Sequence, residues 1–179
     1  EKISGFTLSE ATLGVIGIGN IGKAVTRRAK AFGMKVLGTD IAEVNHVFIS
    51  ESGIELTTLD ILLSKSDFIS INCDLNPTSE HLINAATLAQ MKETAVLINT
   101  ARGPIVAEQA LISALQSGKL GGAAMDVFEV EPLPEDSPLK QMDNVMLAPH
   151  NANSSPAAWE RVHWNTINNL LDGLGIESK

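Results

Sequence analysis

The chain has 179 residues, a formal net charge of −8 and a single cysteine. That acidic balance argues against a nucleic-acid or anionic-membrane partner, and Cys73 alone excludes a disulfide framework or a cysteine-rich zinc site and fits a reducing compartment. Four scattered histidines suggest no metal cluster, no apolar run reaches the roughly 20 residues of a membrane span, and no secretory leader is visible, so a cytoplasmic protein without metal is expected.

Residues 1–11, with Gly5-Phe6-Thr7-Leu8, read as a lead-in. Leu13 to Ile18 is an unbroken apolar run, the pattern of a strand buried on both faces of a parallel sheet. It runs into Gly17, Gly19 and Gly22, which permit in turn a tight turn, close approach of backbone to a pyrophosphate, and close packing of the next helix on the strand. Residues 20–32 read as that helix, stopped by Gly33, with its free N–H groups and positive dipole end turned to the phosphates. A second strand, Met34 to Thr39, ends on Asp40. This acid lies 18 residues past Gly22, near the roughly 20 expected of a carboxylate that hydrogen-bonds an adenosine ribose. Asp40 would repel a 2′-phosphate, and Ile41-Ala42-Glu43 bring no arginine to hold one, so NAD is expected over NADP.

Residues 41–53 show no clear period, and Val47-Phe48-Ile49 fit a short strand or a loop. Leu59, Ile61, Leu62 and Leu63 suggest a short helix behind Thr57 and Thr58. Strands are expected over 67–72, 95–99, 121–127 and 145–147, and helices from Asn84 to about Met91 and from Glu108 to Ser117. In the second of these helices Ala110, Leu111, Ala114 and Leu115 should face inward, and Gly118 should end it. Pro132, Pro134 and Pro138 forbid regular structure before the last strand. A final helix is read from Ser155 to Leu171, with Trp159, Val162, Ile167, Leu170 and Leu171 as its apolar members. Strands alternating with helices predict an α/β doubly wound parallel sheet, a Rossmann fold, in one domain.

Arg102, Glu131 and His150 each lie just past a different strand end. In an open parallel sheet that edge is where ligands bind. Arg102 is set to grip a carboxylate, against the plainer reading of a surface arginine. His150, fixed behind Ala148-Pro149, is placed for acid/base work near neutral pH, or else is structural. Glu131 would set its tautomer if the two meet, and on spacing alone Glu129 competes for that job. His46, His81 and His163 read as surface or packing residues, and Trp159 and Trp164 as helix-packing aromatics. Cys73 sits at a strand end near the crevice and counts with the cofactor-lining positions, but no basic neighbour favours its thiolate.

The stretches Leu13–Gly22, Asn72–Asn84 (NCDLNPTSEHLIN), Leu97–Leu111 (LINTARGPIVAEQAL), Gly121–Pro132 (GGAAMDVFEVEP) and Ala148-Pro149-His150 together resemble the D-isomer-specific 2-hydroxyacid dehydrogenase family. The resemblance implies that Arg102 binds the substrate carboxylate and carbonyl, that His150 is the catalytic histidine, and that Glu131, just before the proline, is its acid. It also implies that Asn20 and Ile21 lie at the pyrophosphate, that Asp40 is the ribose acid, and that Thr100, Ala101 and Asp126 sit beside the nicotinamide end. Ala107, Asp74 and Asn153 depart from the common family pattern. Members of the family normally carry a second, substrate-binding lobe that this sequence lacks, so an NAD-binding domain over residues 1–179 is expected. Its opening Glu1 fits a processed chain or a fragment. The implied reaction passes a hydride between NAD(H) and a small D-2-hydroxy acid or 2-keto acid, of the phosphoglycerate or the glyoxylate/hydroxypyruvate type, in a homodimer. A non-catalytic NAD-sensing or assembly module of the same family is the alternative.

Overall fold

A computed structural model describes residues 7–176, so the reading of Gly5 and Phe6 lies outside the described residues. Seven strands form one parallel sheet: β1 (Thr12–Ile16), β2 (Lys35–Thr39), β3 (Glu55–Leu56), β4 (Phe68–Ile71), β5 (Val96–Asn99), β6 (Gly122–Met125) and β7 (Val145–Leu147). Their order across the sheet is β3-β2-β1-β4-β5-β6-β7, with every pairing parallel. The order reverses between β1 and β4, which opens a crevice at the carboxyl edge. Among the described residues five α-helices connect strands, α1 (Asn20–Ala31), α2 (His46–Ser52), α3 (Leu59–Lys65), α4 (Ala85–Leu88) and α5 (Glu108–Gln116), and α6 (Pro156–Gly173) follows β7.

Alternation along each strand feeds two cores. Leu13 and Val15 of β1 join Val36 of β2, Ala29 of α1 and Phe48 of α2 on one side. Ile16 joins Leu37, Ile69, Ile71, Leu97, Leu62, Leu63, Leu111 and Leu115 on the other. This two-sided burial explains why the central strands read as continuous apolar runs.

Three expectations change. Pro138–Gln141 form a short 3-10 helix, opened by Pro138 at its first turn, where the prolines were expected to forbid regular structure. Residues 46–52 form helix α2 rather than a strand or loop, because the Asn45 side chain accepts from the backbone N–H groups of Val47 and Phe48, and Gly53, at φ 64°, closes the other end. The α2 ring of Phe48 then packs under Arg27 and Lys23 of α1, whose cationic groups lie 5.2 and 5.6 Å from its centroid. Strand β3, two residues long, follows α2 on the sheet's edge. Helix α6 forms as expected but buries none of its residues: Trp159 and Trp164 are 55% and 57% exposed, so they do not pack on this body. No helix among the described residues is long and apolar enough to cross a membrane.

Candidate active site

The crevice begins at the glycine turn. Gly17 has φ +87°, and a Cβ there would lie 2.6 Å from the Cys73 backbone nitrogen; at Gly22 it would lie 2.0 Å from the Gly17 carbonyl oxygen. Both glycines are demanded by the protein's own packing. Gly19 is different. Its backbone, at φ −73° and ψ −160°, suits any residue, and a Cβ there would meet nothing within 4 Å. What Gly19 keeps clear is the space in front of the first turn of α1, where no side chain caps the N–H groups. Asn20 and Ile21 stand exposed at that turn.

A cleft of about 450 Å³ opens there, lined among others by Gly17, Gly19, Asp40, Cys73 and Asn76. Asp40 is fixed at its rim: one carboxylate oxygen accepts from the Ile18 N–H at 2.5 Å and the other from the Ala42 N–H at 2.8 Å. Cys73 is half-buried, and burial, with Asp74 and Asp40 nearby, pushes its thiol up and away from the reactive thiolate.

Further along the same edge, β5, β6 and β7 deliver the charged groups. Strand β5 lies two positions from β1 and β7 four, about 10 and 19 Å away at the usual strand spacing. Asn99, fully buried, holds the turn after β5: its side-chain N–H donates to the Arg102 carbonyl at 3.0 Å, and its oxygen accepts from the Ala101 N–H at 3.0 Å. Thr100 and Arg102 are exposed on this turn and Ala101 is half-buried. The Arg102 guanidinium donates to the Ala101 carbonyl at 2.6 Å.

Glu131 and His150 meet. One Glu131 oxygen pairs with His150 Nδ1 at 2.7 Å, and the other accepts from the Phe128 N–H at 3.0 Å. The hydrogen bond from His150, then that from Phe128, with the Arg102 charge adding, holds the Glu131 carboxyl below the usual glutamate range. His150 sits at φ 53°, a left-handed conformation uncommon for a residue other than glycine. That conformation is fixed from below by Asp126, 5% exposed, whose carboxylate accepts from the N–H groups of Asn151 and Ala152 at 2.9 and 3.0 Å. Glu129, the spacing competitor, turns away to pair with His81 Nε2 at 2.7 Å. His81 therefore has a specific partner, which reading it as a surface or packing residue missed.

Two more residues went unrecognised in the sequence. Asn99 reads as the last residue of a strand, and its turn-bracing role depends on a side chain aimed back along the loop. Gly103 brings the Arg102 turn against the acid-bearing turn so closely that a Cβ would lie 1.9 Å from the Phe128 carbonyl oxygen. The signal for it was present in the Arg-Gly-Pro order but named no partner.

A doubly wound parallel sheet, a glycine turn at its switch point and a carboxylate at the end of β2 define a dinucleotide-binding domain. The family model described as "D-isomer specific 2-hydroxyacid dehydrogenase, NAD binding domain" matches residues 1–152, and the chain belongs to that family. It is 43% identical over 167 residues to a glyoxylate reductase of Korarchaeum cryptofilum, covering 93% of this chain and 50% of that protein. With a hydroxypyruvate reductase of Thermotoga maritima it shares 40% identity, over 98% of this chain and 57% of that one. A solved D-lactate dehydrogenase from Aquifex aeolicus, complexed with NAD and lactic acid, superposes with a TM-score of 0.85 at 36% identity, covering 97% of this chain and 56% of that chain. The chain thus spans about half the length of the relatives it matches.

Proposed function

We propose that this chain is the cofactor half of an NAD-dependent dehydrogenase that reduces a small 2-keto acid of the glyoxylate or hydroxypyruvate kind to the corresponding 2-hydroxy acid, of D configuration where C2 becomes stereogenic. The observation that carries the reading is the His150–Glu131 pair of 2.7 Å, on the same sheet edge as the open space at Gly19. Gly17, Gly19, Asn20, Ile21 and Gly22 would seat the pyrophosphate and Asp40 the adenosine ribose, while Cys73, Thr100, Ala101, Arg102 and Asp126 would line the path to the nicotinamide. Bound NADH would supply the hydride that arrives at C2 of the keto acid.

The residues of the chain supply the rest. Arg102 grips the carboxylate and polarises the carbonyl. Glu131 holds His150 through Nδ1, which leaves Nε2 to carry a proton to the carbonyl oxygen. Glu131 stays ionised and stabilises the imidazolium before transfer. Selectivity among acids belongs to the part of the relatives that this chain does not cover. A homodimer rests on the family resemblance, and a cytoplasmic setting on the lone free thiol.

The test is NADH oxidation by the full-length protein, screened against glyoxylate, hydroxypyruvate, pyruvate and phosphohydroxypyruvate. Turnover of at least one is expected. Tight NADH binding with no turnover of any would favour a non-catalytic sensing module instead.

A further inference from the structure

A second histidine–carboxylate pair stands beside the first. His81 Nε2 meets Glu129 Oε1 at 2.7 Å, with side chains 52% and 32% exposed. Glu129 is two residues from Glu131, on the turn whose Phe128 N–H binds the Glu131 carboxylate. The Glu129 N–H in turn donates to Glu108 Oε2 at 3.3 Å. Burial pushes the Glu108 carboxyl up, and the Glu129 charge adds to this. Two carboxylates thus crowd one end of the turn, and the His81 ring is placed to hold Glu129 through Nε2.

His81 belongs to the loop after β4, of which Asn76, Thr78, Ser79 and Leu82 line the dinucleotide cleft. At φ 49° it occupies the left-handed region, uncommon for a residue other than glycine. Its N–H donates to the Pro104 carbonyl at 2.8 Å, two residues beyond Arg102, and its carbonyl accepts from the Asn84 side chain at 3.0 Å. One side chain therefore ties the cleft loop to the turn that bears the catalytic acid. The backbone bonds Ile83 N–H to Ile105 O and Ala107 N–H to Ile83 O hold the loop independently of that side chain.

We infer that His81 is a positioning residue: through Glu129 it fixes the 128–131 turn, and so sets Glu131 against His150. The inference rests on the acid/base reading of that pair given above. Misplacement of a catalytic group by a fraction of an ångström slows chemistry with little effect on binding.

The test uses the full-length protein with NADH and the best keto acid from the screen. Asn tolerates the left-handed backbone but is too short to reach Glu129, whereas Gln keeps a donor at longer reach. His81→Asn should lower kcat about tenfold, with KM and NADH affinity within about twofold of the parent, and His81→Gln should recover most of the loss. His81→Asn combined with Glu129→Gln should be no slower than His81→Asn alone. As a readout independent of turnover, the NMR resonance of the His150 Nδ1 proton should broaden or move in His81→Asn and return in His81→Gln. An unchanged kcat and an unchanged His150 resonance in His81→Asn would overturn the inference, as would a loss that Gln does not recover. His150→Ala separates the two levels. If it abolishes turnover while His81→Asn does not slow it, positioning fails and the acid/base reading stands; if His150→Ala turns over normally, both fall.

Discussion

Gly17 and Gly19 are two letters of one motif, and the structure separates them. A methyl at Gly17 would collide with the Cys73 backbone, whereas one at Gly19 would enter empty space. Gly17→Ala should therefore destabilise the fold by about 1–3 kcal/mol through its positive φ. Gly19→Ala should leave Tm unchanged yet weaken NADH by about tenfold or more, equivalent to roughly 1.4 kcal/mol. Thermal melts and fluorescence titration of both variants check this, and equal stability losses at the two sites would contradict it. Glu131 carries a pH prediction. Its carboxyl is held low in the folded protein, so the stabilising pair is fully present above the ordinary glutamate value of about 4.3 and is lost as pH falls through the lower folded value. Turnover by the parent should fall on that same acid side, and Glu131→Gln should remove this acid limb from the pH–rate profile. That Glu131 could meet His150 was legible because a strand end and a proline place each of them on one edge. The choice between Glu129 and Glu131 was not legible from spacing, because it depends on which carboxylate the 128–131 turn aims at His150.

At the scale of elements, Asp67 shows how the strands are pinned in register. One carboxylate oxygen accepts from the Thr12 N–H and the other from Lys92 Nζ, both at 2.8 Å, which joins the starts of β1 and β4 to the turn before β5. Burial alone would raise this carboxyl, but the Lys92 and Thr12 bonds outweigh it and hold it below the usual aspartate range. The stabilisation is therefore present above about pH 4 and lost as pH falls through the folded value. Asp67→Asn should cost about 1–2 kcal/mol at neutral pH and progressively less in acid, as denaturant unfolding at several pH values would register. An equal cost at every pH would rule out the charge as its source. The long elements were readable because their period is strong. Helix α2 was not, since its apolar residues Val47, Phe48 and Ile49 are consecutive and only the Asn45 cap and Gly53 stop reveal it. Strand β3 consists of two exposed residues and carries no alternation to detect. Helix α6 has helical spacing but buries none of its residues among the described ones, so its aromatic positions were read as packing that the described body does not supply.

Across the whole molecule, one parallel sheet puts every strand's carboxyl end on one edge. Residues as distant in sequence as Gly19 and His150 therefore share a rim without any long-range motif joining them. The same geometry explains why the fold and the rim were predictable while the side-chain bracing beneath it was not. Asp126 under the His150 loop, Asn99 under Arg102 and His81 beside Glu129 are fixed by which way loops turn after the strands end. The most direct measurement of the central claim is NADH oxidation by full-length protein carrying His150→Ala, with NADH affinity determined on the same sample. Keto-acid reduction should fall about 10²–10⁴-fold while NADH binds as tightly as to the parent. Parental turnover by His150→Ala would contradict the account.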